Sequence, residues 1–308
     1  MESERKLIEQ IRSKLEPRHS GRVVLGIGDD CAIFRPDARE DLLFTTDLLI
    51  EDEHFRRGTP RAEDAGWKAL ARGLSDIAAM GGQPRLFLLS LALPNWANMR
   101  WVNAFYRGLL LLAGRTGVTL AGGDVAHSRS LACDIVVCGS APRGKALRRD
   151  GARAGDVIYV SGLLGGSALA LAQAPKTRTA AWRRHLRPEP RLALGRFLRE
   201  RLKASAAMDL SDGLSIDLAR LCEASRVSAA IGAPPRFPGA SLAQALHGGE
   251  DYELLFTVRP NTKVPAAFEG LPLTRIGSIR SGAAGRVLLD GTQLEPLGYD
   301  HFRRRMKT

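Results

Sequence analysis

Apolar positions divide the first half of the chain into helices and short strands. Residues 62–80 place apolar side chains at helical spacing, whereas residues 86–93 form an apolar run typical of a buried strand. Glycine and proline at 81–84 separate these two segments. The other elements predicted in this half are helices at 2–16 and 98–114 and strands at 23–27, 42–46, 118–121 and 131–138, with a Gly-Gly-Asp turn at 122–124.

The second half continues the alternation and predicts a second lobe. A strand at 156–161 leads through the glycine-rich turn GLLGGS at 162–167 into an alanine-rich helix at 167–173. The other predicted elements here are helices at 190–202 and 213–224 and strands at 208–210 and 252–258. A segment rich in proline, glycine and arginine at 142–155 separates the two halves. We therefore predict an α/β protein of the α+β type with two lobes, divided into domains at 1–141 and 142–308.

Length and composition agree with two packed lobes. The chain has 308 residues, more than one hydrophobic core usually serves, and its 44% hydrophobic and 25% charged residues are ordinary for a globular protein. Its longest apolar run, at 86–93, is far shorter than the roughly 20 residues of a membrane span, and the charged N-terminus lacks the apolar core of a signal peptide. Cysteines at 31, 133, 138 and 222 have no metal-binding spacing and indicate reduced thiols without a chemical role. These features predict a cytoplasmic location and no membrane partner.

The formal net charge of +12 indicates an anionic partner. Arginines cluster at 148–149, 183–184 and 303–305 without aromatic residues between them, which is unlike a stacking platform for single-stranded nucleic acid. A basic nucleic-acid-binding protein is an alternative on charge alone. It leaves the acidic turns of the sequence unexplained.

Acidic residues recur where apolar runs meet glycine or serine turns. An isolated aspartate in such a place is usually a helix cap or an Asx turn, but five such sites in one chain favour metal ligands. Carboxylate and hydroxyl oxygens with almost no histidine or cysteine beside them indicate several Mg²⁺ ions rather than Zn²⁺. Because carboxylates repel phosphate, such ions would bridge the aspartates to nucleotide phosphates. The five sites are GIGDD at 26–30, TTD at 45–47, LSD at 74–76, GGD at 122–124 and DLSDG at 209–213.

Other motifs are less specific. Residues 139–145 have the spacing of a P-loop, but Ala146 stands where the magnesium-binding hydroxyl belongs, which excludes one. The turn at 162–167 can cradle phosphate or be only a tight strand-to-helix turn. His54 alone indicates a surface or packing residue, whereas Glu250, on a glycine turn before an apolar run, can receive a cationic group. No catalytic nucleophile is evident, and transfer to an ionised phosphate acceptor needs none.

Nine segments follow one another in a characteristic order between residues 20 and 302. They are LGIGDDCAIF, TTDLLIEDEHF, ALARGLSDIAAMGGQP, AGGD, GDVIYVSGLLGGSALAL, HLRPEPR, MDLSDGLSIDL, GGEDYELLFTV and GYDHF. Together they resemble the thiamine-monophosphate kinase family. The resemblance implies magnesium-dependent, direct in-line transfer of the ATP γ-phosphate to thiamine phosphate, which gives thiamine diphosphate and ADP. Another ATP-dependent enzyme of the same superfamily, with a different acceptor, is the alternative.

The resemblance also implies roles for individual residues. The implied metal ligands are Asp30, Thr45, Thr46, Asp47, Asp76, Asp124, Asp209 and Asp212. The implied contacts of ATP are Gly123, Asp124, Arg149 and Ser211. The implied contacts of thiamine phosphate are His54, Glu250 and Tyr299, with the thiazolium cation near Glu250 and its ring stacked on Tyr299. The resemblance implies no catalytic nucleophile.

The superfamily includes aminoimidazole-ribonucleotide synthetase, whose fold the resemblance implies for this chain. The N-terminal lobe would then carry a mixed sheet that pairs with that of a second subunit in a homodimer, and the C-terminal lobe would be α/β. Two other members are disfavoured: selenophosphate synthetase because no cysteine precedes GIGDD, and a hydrogenase-maturation protein because the chain ends in MKT. The expected partners are thiamine phosphate, ATP and a second copy of the chain, without nucleic acid or membrane.

Overall fold

Two mixed β-sheets, one in each half of the chain, organise the fold. The computed structural model describes residues 23–25, 32–34, 39–173 and 179–300. Within these residues the first sheet has six strands in the order β1-β2-β3-β6-β4-β5, and only the β4–β5 pair is parallel. Its strands are β1 (Val23–Leu25), β2 (Ala32–Phe34), β3 (Glu40–Ile50), β4 (Gln83–Leu93), β5 (Thr119–His127) and β6 (Ala132–Pro142).

Two long helices cover one face of this sheet, α1 (Ala62–Ala79) and α2 (Met99–Thr116). They touch backbone to backbone, because a Cβ on Gly66 would lie 1.9 Å from the carbonyl oxygen of Phe105. Asn98 begins α2 by accepting a hydrogen bond from the backbone N–H of Trp101 at 3.1 Å, and Gly117 ends it in the left-handed region at φ 70°. The first core lies between these helices and the sheet.

The opposite face of the first sheet remains exposed and largely apolar. Leu48 is 50% and Leu88 40% exposed on this outer face. Strand register places Asp134, Ser90 and Asp124 in one row across it, so the apolar surface contains a polar line. Large apolar side chains left uncovered in this way are typical of a contact surface.

The second sheet has eight strands and is mostly antiparallel, with only β13 parallel to its neighbour β9 among the pairs in the described residues. Seven of them follow the order β14-β13-β9-β12-β7-β10-β8, and β11 pairs with β12 outside this path. The strands are β7 (Val157–Ser161), β8 (Ala206–Asp209), β9 (Ser228–Ile231), β10 (Leu254–Val258), β11 (Ala267–Phe268), β12 (Leu271–Arg280), β13 (Val287–Leu289) and β14 (Thr292–Gln293).

Short helices pack around the second sheet and join it to the first lobe. They are α3 (Gly166–Ala172), α4 (Ala180–Leu186), α5 (Leu192–Phe197), α6 (Leu214–Ala224) and α7 (Leu242–His247), with a π-helical turn at Leu198–Leu202 after α5 and a 3₁₀ turn at Arg149–Gly151. At Gly195 in α5, a Cβ would lie 1.9 Å from the carbonyl oxygen of Ala78 in α1. Trp67 of α1 donates its indole N–H to the carbonyl oxygen of Pro188 at 2.8 Å. Helix α1 is therefore shared between the two lobes.

Most of the predicted elements are confirmed, and the α/β fold with two sheets is as expected. The strand predicted at 42–46 is longer, because β3 pairs with β6 along its whole length from Glu40 to Ile50. The predicted turn at 122–124 is wrong: these residues continue β5, which pairs with β4 as far as His127. Helix α4, helix α7 and several short strands of the second sheet were not predicted.

Two expectations are not decided by the fold. The helix predicted at 2–16 lies outside the described residues, and the domain boundary at 141/142 stays a prediction. No helix in the described part of the chain is long and apolar enough to cross a membrane.

Candidate active site

A cavity of about 790 Å³ lies between the lobes, along one face of α1. Four charged residues spaced four apart on that helix, Asp64, Lys68, Arg72 and Asp76, line it. Positions four apart share a helix face, so these side chains form a charged ladder on a helix whose other positions are mostly apolar. The ladder connects an acidic end of the cavity to an end with aromatic and aliphatic walls.

The acidic end is built from β3 and the C-terminal part of α1. Alternation along β3 turns Thr45 and Asp47 toward α1, where the Thr45 hydroxyl donates a hydrogen bond to the Asp76 carboxylate. Arg72 Nη2 lies 2.5 Å from Asp47 Oδ1. Thr46 donates instead to Asp134 Oδ1 at 2.7 Å, across the outer face of the sheet. The TTD segment thus directs Thr45 and Asp47 to the helix-covered face of the sheet and Thr46 to the outer face.

Asp47 stands in a region of concentrated negative charge. Burial raises the pKa of this carboxyl, the Arg72 guanidinium lowers it, and the carboxylates of Asp212 and Glu250 raise it again. A divalent cation would relieve the same repulsion.

The DLSDG segment reaches the acidic end from the second lobe. Asp209, the last residue of β8, accepts a hydrogen bond from the Ser75 hydroxyl of α1 at 2.6 Å. Asp212 forms an ion pair with Arg220. The backbone N–H groups of Asp212 and Gly213 donate to Asp217 Oδ2 at 3.1 and 3.0 Å. The carboxylate that accepts hydrogen bonds at the N-terminus of α6 is therefore that of Asp217 rather than that of Asp212. Burial and the Asp212 charge raise the pKa of Asp217 to about 7.

The GGEDYEL segment places two of its carboxylates, Glu250 and Asp251, in different surroundings. Glu250 and Tyr252 have left-handed backbone conformations, at φ 63° and 50°, which are strained for residues with side chains and typical of functional sites. Asp251 accepts hydrogen bonds from the backbone N–H groups of Gly165 at 2.6 Å and Ser167 at 3.4 Å. These donors belong to the GLLGGS turn, so its interpretation as a tight turn is favoured over a phosphate cradle.

Glu250 is surrounded by basic groups from both lobes. Its Oε1 lies 2.8 Å from Lys68 Nζ and its Oε2 lies 3.3 Å from His185 Nδ1. Burial alone would raise the pKa of Glu250, but the charge and hydrogen bond of the Lys68 ammonium lower it to about 2. Burial, and then the Lys68 ammonium, lower the pKa of His185 to about 3, so this imidazole is neutral. Among the described residues, Lys68 of the same chain is therefore the cation paired with Glu250.

Apolar side chains form the remaining wall. Trp182 and Leu186 of α4 and Leu171 of α3 line the cavity beside His185. Tyr299, 36% exposed, approaches from the C-terminal segment, where its backbone N–H donates to the carbonyl oxygen of Asp212 at 2.9 Å. This end can bury an organic ring next to a charged centre.

Most of the residues expected in the site line this one cavity. They are Thr45, Thr46, Asp47, His54, Asp76, Arg149, Asp209, Ser211, Asp212, Glu250 and Tyr299. Gly123 and Asp124 do not line it: they are exposed on β5, where a Cβ on Gly123 would lie 1.8 Å from the carbonyl oxygen of Leu89. Asp30 lies outside the described residues. The roles assigned to all these residues stay predictions.

The sequence interpretation missed Lys68, Arg72, His185 and Asp217, which all line the cavity. A usable signal existed for the first two, because charges at 64, 68, 72 and 76 recur every four residues on a helix whose other positions are mostly apolar. His185 lies on α4, which was not predicted. Asp217 reads as an ordinary first-turn acid of a helix.

The donor set at the acidic end fits magnesium. The side chains there offer carboxylate and hydroxyl oxygens, the ligands that Mg²⁺ prefers. In the described part of the chain, no three acidic, histidine or cysteine side chains are close enough to enclose an ion. Mg²⁺ is usually held by one or two carboxylates together with substrate phosphates, so a set of separated carboxylates around a cavity is compatible with it.

Comparisons with known proteins identify the family. Residues 28–141 match the family model of the AIR synthase related protein, N-terminal domain, and residues 153–290 match that of its C-terminal domain. Thiamine-monophosphate kinase of Escherichia coli (strain K12) is 39% identical, with 91% of this chain and 92% of that protein covered. The enzyme of Bacillus subtilis (strain 168) is 36% identical, with 92% and 95% covered.

Solved structures agree. AaThiL complexed with AMPPCP and TMP superposes with a TM-score of 0.86 at 34% identity, covering 97% of both chains. Thiamine-monophosphate kinase from Stenotrophomonas maltophilia K279a gives a TM-score of 0.77 at 39% identity, covering 94% of this chain and 96% of that one. Family models, relatives and fold lead to one conclusion: the chain belongs to the thiamine-monophosphate kinase family.

Proposed function

We propose that this protein transfers the γ-phosphoryl group of ATP to thiamine phosphate and releases thiamine diphosphate and ADP. The observation that carries the proposal is the cavity along α1, which joins a cluster of carboxylates to an aromatic wall. Its two ends match the two parts of the reaction, a triphosphate and an organic cation. The relative with AMPPCP and TMP bound has the same fold over 97% of both chains.

The acidic end would hold the ATP phosphates through magnesium. The proposed ligands are Asp30, Thr45, Thr46, Asp47, Asp76, Asp124, Asp209 and Asp212, of which Asp124 lies on β5 outside the cavity lining of its own chain. Bound Mg²⁺ would neutralise the phosphate charges and so make attack by a second anion feasible. Arg149, Ser211, Gly123 and Asp124 are the proposed ATP contacts.

The acceptor needs positioning rather than a strong base. A phosphate monoester has its second pKa near 6 and is largely ionised at neutral pH, so no group must remove a proton from it. Direct in-line transfer then depends on alignment and charge neutralisation. His54, Glu250 and Tyr299 are the proposed contacts of thiamine phosphate, at the end of the cavity with the aromatic wall.

We also propose a homodimer that covers the outer face of the first sheet. Leu48 and Leu88 on that face are at least 40% exposed, which is unusual for a sheet centre. Gly123 and Asp124 lie on the edge strand β5 of the same sheet, so a partner copy would lie next to them. A cytoplasmic location is proposed as well, because the described cysteines, Cys133, Cys138 and Cys222, are buried and unpaired.

The proposed reaction is tested by ADP release from purified protein with ATP and Mg²⁺, with and without thiamine phosphate, and by mass spectrometry of the product. ADP release that requires thiamine phosphate, with thiamine diphosphate as product, is the expected result. ATP cleavage that is indifferent to thiamine phosphate, or no cleavage, would contradict the proposal and favour another phosphate acceptor. A heat-inactivated sample controls for spontaneous hydrolysis.

A further inference from the structure

Lys68 is a buried cation that lines the cavity. Its side chain is 4% exposed, although it lies on a helix that already packs well through its apolar positions. Burial lowers the pKa of this ammonium, which means that the protein gives up hydration to keep a basic group there. Lysines are rarely buried without a partner or a function.

The Lys68 ammonium has one acidic partner and spare donors. Among the described residues, Glu250 is the only carboxylate within ion-pair distance of Nζ, at 2.8 Å. An ammonium has three N–H donors, and Nζ finds no further hydrogen-bond acceptor in the described structure. At least two donors are therefore available to a ligand in the cavity.

The neighbouring cation of the ladder is differently placed. Arg72, one turn along α1, uses Nη2 for Asp47 and donates from Nη1 to the carbonyl oxygen of Leu48 at 2.7 Å. Arg72 Nε, like Lys68 Nζ, has no hydrogen-bond acceptor in the described structure. Lys68 lies between the acidic end, where Nη1 and Nη2 of Arg72 are engaged, and the Glu250 end. The phosphate of thiamine phosphate must occupy this intermediate position if the thiazolium is near Glu250 and the ATP phosphates are near Asp47.

We propose that Lys68 binds the phosphate group of thiamine phosphate and, on doing so, gives up Glu250 to the thiazolium cation. The inference rests on the proposed function. The chain itself supplies a Lys⁺–Glu⁻ pair, and the substrate brings a cation and a phosphate of its own. Exchange of partners keeps every buried charge paired, whereas binding without exchange would leave two cations competing for one carboxylate. Lys68 would thereby select a phosphorylated substrate over thiamine.

The test compares binding of thiamine phosphate with binding of thiamine, by isothermal titration calorimetry without ATP. Wild-type protein, Lys68→Met and Lys145→Met are measured; Lys145 is an exposed lysine outside the cavity lining. We expect Lys68→Met to weaken binding of thiamine phosphate by about 10- to 100-fold, the usual effect of losing hydrogen bonds to a charged group. Thiamine binding should not weaken, and Lys145→Met should match wild type for both ligands.

Four results would overturn the inference. Equal weakening of both ligands by Lys68→Met would mean that Lys68 acts only by holding Glu250, and unchanged binding of both would mean that it has no part in recognition. If wild-type protein binds neither ligand, the proposed function falls together with the inference. If wild type prefers thiamine phosphate and Lys68→Met keeps that preference, only the inference falls.

A second measurement tests the inference if Lys68→Met does not fold. In wild-type protein labelled with ¹⁵N at lysine side chains, thiamine phosphate should shift the Nζ resonance assigned to Lys68 by comparison with the Lys68→Arg spectrum. Thiamine at saturating concentration should not produce the shift of the Lys68 Nζ resonance that thiamine phosphate produces. Identical shifts with both ligands would contradict phosphate binding.

Discussion

Arg72 and Asp47 form an ion pair inside the cavity, with Arg72 Nη2 2.5 Å from Asp47 Oδ1. The pair joins α1 to β3 and places a guanidinium on a carboxylate that we propose as a metal ligand. Two cations cannot share this carboxylate equally, so Arg72 opposes metal binding until phosphates add negative charge. The protein would then bind the metal–nucleotide complex in preference to the free metal.

Removal of Arg72 should therefore strengthen binding of free metal. We expect Arg72→Met to increase the affinity of nucleotide-free protein for Mn²⁺ by about tenfold, an effect of the size expected when one nearby charge is lost in a partly buried site. Electron paramagnetic resonance of free Mn²⁺ at pH 8 measures it. Arg143→Met, at an exposed position, is the control. Unchanged or weaker Mn²⁺ binding by Arg72→Met would refute competition.

Asp76 provides a test of the metal assignment at the chemical step. Asp76→Asn keeps the shape of the side chain and an oxygen for the Thr45 hydroxyl, but removes the charge. We expect a folded protein whose thiamine phosphate-dependent ADP release is reduced at least about 100-fold. Asp290→Asn, in an exposed turn, should keep normal turnover. Normal turnover by a folded Asp76→Asn protein would exclude Asp76 as a metal ligand.

The neutral state of His185 predicts a specific pH dependence of stability. Its pKa is about 3 in the folded protein against an ordinary value of 6.5, so between these values only the unfolded chain binds the proton. Folding stability therefore decreases as the pH falls below 6.5, by up to about 1.4 kcal/mol per pH unit.

The variant His185→Gln should lack this contribution. The free energy of unfolding is measured by urea titration. Between pH 8 and pH 5, wild type should lose about 2 kcal/mol more of it than the variant loses. The depressed pKa of Glu250 acts in a lower window, from 4.5 toward about 2, and does not interfere. A difference independent of pH would show that folding does not lower the pKa of His185.

The contact between α1 and α2 predicts opposite effects at two helical glycines. A Cβ at Gly66 would meet the backbone of Phe105, whereas a Cβ at Gly114 has nothing within 4 Å. We expect Gly66→Ala to destabilise the protein by at least about 2 kcal/mol because the helices must separate. Gly114→Ala should stabilise it by roughly 0.5 to 1 kcal/mol through helix propensity. Equal effects in urea unfolding would mean that the helices do not touch.

The proposed dimer predicts a response to charge on the outer face of the first sheet. Leu88→Glu should shift the protein toward monomer in sedimentation velocity, because a buried interface carboxylate would lack a partner. Leu110→Glu, on an exposed face of α2, should leave the assembly unchanged. A dimer that tolerates Leu88→Glu would place the interface elsewhere.

The spacing of apolar residues predicted the elements whose own sequence determines which face is buried. It failed for segments whose structure depends on contacts with distant parts of the chain. Helix α1 and strand β4 follow from their own spacing of apolar residues. The GGD segment reads as a turn by composition, yet it continues β5 because β4 offers a parallel partner. His185 and Lys68 meet only through Glu250, which is 182 positions from Lys68 in the chain and on the other lobe. Such a contact cannot be predicted from local sequence. The four-residue spacing of charges on α1 points to Lys68 but not to its partner Glu250.

The close approach of Gly195 to Ala78 fixes how near the two lobes can come at the C-terminal part of α1. Backbone meets backbone there with no side chain between, so any larger residue at position 195 would push α5 away from α1. This part of α1 also carries Asp76, and Asp209 reaches the same region from the second lobe. The spacing of the carboxylates at the acidic end therefore depends on a glycine that does not line the cavity.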